Sequence, residues 1–317
     1  MNLHVYEACG NKFIILPLKD EGEFLALKNS VTDLLQLAEA GKQESADSIM
    51  VITGNPLDFE KQGYHVSMDV FEPHAYNKND QVSGWSTMCG NGIRGVAQYL
   101  VDSYPVNSDF IIKTGAGKQR VSWHKNLWKV DMGLFSTSHS HLKKYVTTIP
   151  YRLPELLNDK KSLFLKTEIF VGFHYQPEHD IIDGEPHLIV FHSEPLGQNV
   201  LLPLTEEIGK NITHNTHFFP EEINTSIVAV DCIDISKKII QVQAATYERH
   251  IHYVTQACGT AATVIGSILF QQYNLSSEWQ IEVIMPGGIL YIEKDQKNRF
   301  YLSGEAKQIR SSLKDVA

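Results

Sequence analysis

The sequence predicts a protein of the α/β (α+β) class built from two similar halves. Short runs with alternating, β-branched or aromatic residues dominate its 317 residues, and Gly, Asn, Asp or Pro stands at most of their ends. Helix-like segments are fewer, and two of them begin alike, with Cys-Gly followed by a polar residue. These two starts lie about half the chain length apart, so we expect one in each half.

An amphipathic helix is expected over 31–41, ending at Gly41, a residue type that often ends helices. The N-terminal half is expected to comprise 1–132, with 303–317 returning to it, and the C-terminal half 133–302. Strands are expected at 13–17, 47–54, 64–71, 109–115, 121–133, 162–173, 187–192, 226–235, 239–249, 281–293 and 299–304.

The two remaining helices carry the pattern that matters most. They are MCGNGIRGVAQYL (88–100) and ACGTAATVIGSILF (257–270). Both helices consist largely of small and aliphatic residues, which is typical of helices that are buried on all sides. Cysteine is often a plain core residue, so one such start alone would indicate only packing. Its recurrence in both halves favours a functional pair.

Cys89 and Cys258 would each lie at a helix start. Backbone N–H groups there have no partner within the helix, and the dipole adds about half a positive charge. Such a position stabilises a thiolate and also binds a carboxylate. Two starts facing each other would hold an amino-acid carboxylate with one sulfur on each side of its Cα. One thiolate would then remove the Cα proton while the opposing thiol delivers another.

Composition excludes several other classes of protein. The net charge is −9, without a basic stripe, so we expect neither nucleic acid nor an anionic membrane as a partner. No signal peptide and no apolar run of ~18 residues is recognised, and four cysteines form no disulfide framework, so the cytoplasm is the expected location. No metal is expected, because the fourteen histidines form no HExxH spacing and a Cys258–His252 site lacks a second ligand motif.

Several motifs together resemble one family over nearly the whole chain. They are ACGNKF (8–13), MCGNGIRGVA (88–97), WKVDMG (128–133), GEPH (184–187), NTHF (215–218), YER (247–249), ACGT (257–260), MPGGILYI (285–292) and LSGEA (302–306). They are similar to motifs of the diaminopimelate epimerase family of two-cysteine racemases and epimerases. The resemblance implies halves that are each a curled mixed or antiparallel sheet wrapped round a central helix, with the active site in the cleft between them. It also implies catalysis with no cofactor, neither pyridoxal phosphate nor metal.

The resemblance further implies a role for each matching residue. Cys89 and Cys258 would be the acid–base pair. Asn11, Glu248 and Arg249 would orient the amino group and the far end of the substrate. The backbone of four further residues would bind the α-carboxylate: Gly90, Asn91, Gly259 and Thr260.

Three positions depart from the family's pattern. Glu72, Glu185 and His217 stand where the family has neutral asparagines. Carboxylates repel a second substrate carboxylate and attract a cation, so we hypothesise a basic amino acid such as histidine, lysine, ornithine or arginine. The alternative is that both glutamates point elsewhere or pair with Arg249, and that diaminopimelate still binds.

Two other functions stay open at this point. One is authentic diaminopimelate epimerase, which converts the LL isomer to the meso isomer in lysine and peptidoglycan biosynthesis. The other is a catalytically inactive homologue that binds an amino acid. All three interpretations have a small-molecule amino acid as the partner, and a homodimer is left open as the assembly.

Overall fold

A computed structural model describes residues 4–41, 46, 48–76, 83–138, 145–147, 168–175 and 185–310. The chain divides into two compact units. The first comprises Met1–Asp131 with Ser303–Ala317, and the second comprises Met132–Leu302. The last residues that the sequence assigns to the N-terminal half, 311–317, lie outside the described residues.

The first unit contains most of the first half of the chain. Its strands are β1 (His4–Ala8), β2 (Asn11–Leu18), β3 (Ser48–Thr53), β4 (Val66–Phe71), β5 (Trp85–Ser86), β6 (Asp109–Thr114), β7 (Gly117–His124) and β16 (Lys307–Arg310). Its α-helices are α1 (Glu21–Lys28), α2 (Val31–Gly41), α3 (Phe59–Gln62) and α4 (Gly92–Ser103), with 3-10 turns at Pro56–Asp58 and Pro73–Ala75. The strands lie in the order β16-β1-β2-β3-β4-β6-β7, and β5 pairs with β4. Strand β8 (Leu127–Ser136) pairs with β7 and continues across the unit boundary.

The second unit has fewer helices among its described residues. Its further strands are β9 (Glu168–Tyr175), β10 (His187–His192), β11 (Asn224–Asp234), β12 (Ile239–Tyr247), β13 (Gln280–Met285), β14 (Gly288–Lys294) and β15 (Phe300–Gly304). Its helices are α5 (Gln198–Ile212) and α6 (Gly259–Gln272). The strands lie in the order β9-β10-β11-β12-β13-β14-β15.

Both units use the same strand plan. Along β1-β2-β3-β4-β6-β7 the successive pairs are antiparallel, parallel, antiparallel, parallel and antiparallel. Along β9-β10-β11-β12-β13-β14 the directions follow the same sequence. Each cysteine helix occupies the same place in this plan, between the fourth long strand and the fifth. The predicted mixed α+β fold with a repeated cysteine-helix unit is therefore confirmed.

Both cysteine helices are buried within their units. Every residue of α6 from Gly259 to Phe270 is buried, and α4 is buried over most of its length. Small side chains permit this, since a Cβ at Gly266 would lie 2.6 Å from Cγ2 of Ile292 on β14. Because such a helix is held by packing on many strands, its first residues are fixed in place.

Two predicted strands are in fact hairpins. The run 121–133 is broken at Lys125 and Asn126, whose φ angles of 50° and 64° form the tight turn between β7 and β8. The run 281–293 is broken by a turn between Met285 and Gly288. Buried and partly exposed residues alternate on both sides of each turn, so each run resembles a single strand in the sequence. The start of the run at 162–173 lies outside the described residues.

Helix α5 was not predicted. It contains Pro203, which interrupts a helical pattern in sequence because it removes a backbone donor. Its buried face, which includes Leu201, Ile208 and Ile212, packs in the core of its unit and offsets that cost. Within the described ranges, none of the helices has the length and apolar character required to cross a bilayer.

Candidate active site

Cys89 caps the start of α4. Its Sγ accepts a hydrogen bond from the backbone N–H of Gly92 at 3.3 Å, and its carbonyl accepts from Ile93 at 3.0 Å. Asn91, which directly precedes the helix, makes no capping bond with its side chain. The half-buried thiol therefore takes the capping position, where a backbone donor and the helix dipole favour its anionic form.

A buried arginine lies beneath this turn. Arg94 is 0% exposed, and its guanidinium donates to the carbonyl of Gly90 at 3.1 Å and to Oδ1 of Asn91 at 2.8 Å. A third contact reaches Sγ of Cys9 at 3.6 Å. Burial lowers the pKa of Arg94, whereas the nearby thiols of Cys9 and Cys89 act to raise it. Among the described residues, no carboxylate pairs with this cation.

Cys258 is the N-cap residue of α6. Its backbone is extended (φ −121°, ψ 110°), and its carbonyl accepts from Ala262 at 3.0 Å. Its own N–H donates to Sδ of Met285 at 3.3 Å. The side chain is 5% exposed, so this sulfur is buried more deeply than that of Cys89.

A hydrogen-bonded chain extends from the second cysteine. Sγ of Cys258 lies 3.3 Å from Oγ1 of Thr260, which lies 2.9 Å from Nε2 of His187. All three side chains are buried. A hydroxyl both donates and accepts, so this chain can stabilise either a thiolate or a thiol.

Arg249 is engaged by a carboxylate of its own unit. Two of its nitrogens contact Oε2 of Glu185, at 2.9 Å from Nε and 2.8 Å from Nη2, and a third donates to the carbonyl of Glu221 at 3.1 Å. The guanidinium also lies 5.7 Å from the ring centre of Tyr145. Burial, the largest single cause, lowers the pKa of Arg249, but the charge and hydrogen bond of Glu185 together with Tyr145 and Glu221 outweigh it, and the net shift is upward. This is the pairing that the sequence left open as the alternative for Glu185.

Glu248 begins a tight turn after β12. Its N–H donates to the carbonyl of Tyr253 and its carbonyl accepts from His252, so the chain reverses within six residues. Its side chain accepts a hydrogen bond from the hydroxyl of Thr255. The turn presents Glu248 and Arg249 at the end of the strand that leads to Cys258.

The predicted site residues divide between the two units. Asn11 is buried at the start of β2, Glu72 is half-buried just after β4, and His217 is exposed on the connection between α5 and β11. The side chain of Asn91 is held by Arg94, which leaves its backbone for the predicted role. The first unit carries Asn11, Glu72, Cys89, Gly90 and Asn91, and the second carries Glu185, His217, Glu248, Arg249, Cys258, Gly259 and Thr260.

Two residues linked to Cys258, His187 and Met285, were not predicted as site residues. His187 is the last residue of the GEPH motif, whose Gly184 lies outside the described residues, and only the Glu of that motif was singled out. Met285 contacts Cys258, which lies 27 positions earlier in the chain. Arg94, by contrast, contacts the backbone and side chain of its own turn through its hydrogen bonds to Gly90 and Asn91.

Proteins of known structure share this fold. No protein-family model matches the chain. A phenazine biosynthesis protein of the PhzF family from Bacillus anthracis superposes with a TM-score of 0.59 at 15% identity, covering 98% of this chain and 97% of that one. A probable proline racemase from Agrobacterium radiobacter gives a TM-score of 0.60 at 11% identity, covering 100% and 92%.

Proteins related in sequence are named diaminopimelate epimerase. The diaminopimelate epimerase of Synechococcus elongatus is 26% identical over 316 residues, which cover 98% of this chain and 97% of the relative. That of Halothermothrix orenii is 30% identical over 228 residues, covering 70% and 71%. Fold and relatives together define an isomerase of the epimerase class. More narrowly, the chain belongs to the diaminopimelate epimerase family.

Proposed function

We propose that this protein is a cofactor-independent amino-acid racemase or epimerase that inverts Cα by proton transfer between Cys89 and Cys258. One cysteine, as thiolate, removes the Cα proton from one face. The other, as thiol, delivers a proton to the opposite face, and the two roles exchange in the reverse direction. The proposal requires both sulfurs to reach the same carbon, which the experiment below tests.

One observation carries this proposal. Two thiols stand at equivalent points of a repeated unit, each at the start of a buried helix, with Cys89 already accepting a backbone hydrogen bond. A cysteine kept only for packing has no need of a helix start. The dipole there stabilises the thiolate that a general base requires.

Arg94 supports an anionic Cys89. An arginine side chain stays protonated in proteins, and a buried charge is costly without a counter-ion. The acidic groups found near it are the thiols of Cys9 and Cys89, and no carboxylate pairs with it in the described part of the chain. A thiolate at Cys89 would neutralise the positive charge of Arg94.

The helix starts would also hold the developing charge. Removing a Cα proton spreads negative charge onto the α-carboxylate, which must be stabilised by fixed donors. The first N–H groups of a helix have no intrahelical acceptor, so the backbone of Gly90 and Asn91, and of Gly259 and Thr260, is suited to that role. Since this backbone is fixed by packing, little reorganisation is needed during the reaction.

The substrate we propose is a basic amino acid such as histidine, lysine, ornithine or arginine. Arg249 is held by Glu185, so this pair offers little net charge to a ligand. A second substrate carboxylate that used Arg249 would have to compete with Glu185 for it and would meet the repulsion of Glu185. A cationic side chain does not compete with Glu185 for Arg249, and the carboxylate of Glu185 attracts it.

Diaminopimelate is the second candidate. The relatives at 26% and 30% identity bear the name diaminopimelate epimerase, and the pairing with Arg249 leaves Glu185 less able to attract a cationic side chain. In this case the distal head of the substrate would bind beside the ion pair. Only the choice of substrate, and not the two-thiol chemistry, differs between the candidates.

The test uses racemase assays over a panel of L-amino acids with diaminopimelate stereoisomers in parallel. We expect inversion of a basic amino acid by the wild type, and losses of at least about 1,000-fold in Cys89→Ala and Cys258→Ala because each removes a reacting group. Cys232→Ala is the matched control, since Cys232 is exposed on β11, and it should retain full activity. Fast turnover of diaminopimelate alone would overturn the substrate proposal. Activity that survives both cysteine substitutions would overturn the mechanism.

A further inference from the structure

A cluster of two histidines and a glutamate lies outside the residues assigned above. It consists of His214, Glu222 and His252, whose ligand atoms all lie within 4.8 Å of one another. Nδ1 of His214 is 2.8 Å from one carboxylate oxygen of Glu222, and Nε2 of His252 is 3.3 Å from the other. The two imidazole rings are nearly perpendicular, at 86°, with centres 4.3 Å apart.

The fold explains why these residues meet. Thr225 at the start of β11 pairs with Tyr247 at the end of β12. The segment just before β11, which carries His214 and Glu222, therefore lies beside the turn that follows β12, which carries His252. Glu222 and His252 both have left-handed backbones, with φ of 57° and 66°, a conformation that is uncommon outside glycine and recurs at functional sites.

We propose that His214, Glu222 and His252 bind a divalent transition-metal ion, with zinc as the best fit. Two imidazoles and a carboxylate are a familiar zinc ligand set, and bond lengths of about 2.0–2.2 Å place tetrahedral ligand atoms about 3.3–3.5 Å apart. The contact between Glu222 and His252 already has this spacing. The contact from His214 is shorter and reaches the other carboxylate oxygen, and all three ligand atoms lie within 4.8 Å of one another, so rotation of the side chains would bring them to this spacing around an ion.

The surroundings contain the outer support that such a site needs. Nε2 of His214, the ring nitrogen that does not face Glu222, lies 3.5 Å from the hydroxyl of the buried Tyr247. A second contact of this kind orients a metal-bound imidazole and fixes its tautomer. The cluster is half-exposed, which leaves a fourth ligand position to water and gives the ion a path from solvent.

The consequence for the protein is local stiffening. His252 lies three residues after Arg249, and Glu221, whose carbonyl accepts from Arg249, directly precedes Glu222. A bound ion would join the two segments that hold Arg249. Neither cysteine belongs to the cluster, so the proposal gives the ion a structural role outside the proton transfer.

The test uses the full chain, stripped of metal with a chelator and titrated with Zn²⁺ by calorimetry and with Co²⁺ by visible absorption. We expect one ion per chain, a Co²⁺ spectrum typical of four or five nitrogen and oxygen ligands, and a higher Tm with Zn²⁺. Glu222→Gln and His252→Ala should each weaken binding by more than about 100-fold, since they remove ligands. His124→Ala, which changes an exposed histidine on β7, should bind like the wild type.

Two further outcomes decide the matter even if a variant fails to fold. A sulfur-to-cobalt charge-transfer band in the wild type would place the ion on cysteine and overturn the proposal. An unchanged aqueous Co²⁺ spectrum would show that the cluster is only a hydrogen-bonded triad. Cys258→Ala should bind Zn²⁺ normally, so this result is independent of whether the racemase mechanism is correct.

Discussion

Substituting Thr260 by valine tests the hydrogen-bonded chain behind Cys258. Valine keeps the branched shape and removes the hydroxyl, which lies 3.3 Å from the sulfur and 2.9 Å from Nε2 of His187. A hydrogen bond to an ionised group contributes about 1.5–3 kcal/mol, and each 1.4 kcal/mol of barrier is a factor of ten in rate. We therefore expect kcat to fall about 10- to 100-fold in both directions of the reaction.

The same substitution should also destabilise the fold. A buried polar atom that loses its partner costs about 1–3 kcal/mol, and His187 loses the contact to its Nε2. Thr263→Val is the matched control: Thr263 lies one turn further along α6, is 0% exposed, and donates to the carbonyl of Gly259 at 2.9 Å. That carbonyl sits in a helix, so the control should lose no more than about 1 kcal/mol and keep its activity within about twofold.

The assay is the initial rate of inversion in each direction, with urea unfolding of both variants in parallel. The rate at which iodoacetamide alkylates Cys258, followed by peptide mass spectrometry over pH, gives a reading that needs no substrate. Thr260→Val should shift that profile and Thr263→Val should not. Equal activity and equal alkylation profiles in the two variants would refute the assigned role of the hydroxyl.

Three further predictions concern other parts of the chain. Arg94→Met should slow alkylation of Cys89 and move its profile to higher pH, because the nearby cation is lost; an unchanged profile would rule out Arg94 as the counter-ion. Gly209→Ala places a Cβ 2.3 Å from Cβ of Tyr247, so urea unfolding should show a loss of at least about 1–3 kcal/mol from overpacking, and a neutral result would contradict the packing of α5 on β12. Burial lowers the pKa of His65 below its usual 6.5, so its contribution to stability is present above that pH and declines as the pH falls below it. The free energy of unfolding should fall less between pH 7.5 and pH 5.5 in His65→Asn, which keeps an acceptor for the N–H of Ile111, than in the wild type. An equal fall in both proteins would contradict the role given to His65.

Sequence patterns located the cysteine helices because their chemistry is local. Cys-Gly at the start of a small-residue helix is visible in a few letters, and α6 follows it within two residues of the predicted bounds. Helix α2 was predicted over 31–41 and is found there. Helix α5 was not predicted because Pro203 interrupts its helical pattern. The proline is tolerated because the helix packs in the core of its unit, which the sequence does not show.

Contacts between distant residues were beyond local patterns. Glu185 was expected to face the substrate, yet it pairs with Arg249, 64 positions away. Glu222 lies between His214 and His252 because the start of β11 pairs with the end of β12, and local sequence patterns do not reveal that pairing. The chemistry of a turn can therefore be predicted from its own residues, whereas the partner of a charged side chain depends on the assembled sheet.

The isotope content of early product tests the two-thiol account most directly. An L-amino acid that the enzyme inverts is incubated with the wild type in D₂O, and both enantiomers are analysed by NMR and mass spectrometry at low conversion. Two separate acid–base groups predict that the D product carries deuterium at Cα while the remaining L substrate keeps its hydrogen. Product that retains the original hydrogen, or deuterium that enters the L substrate equally fast, would indicate a single base and contradict the account.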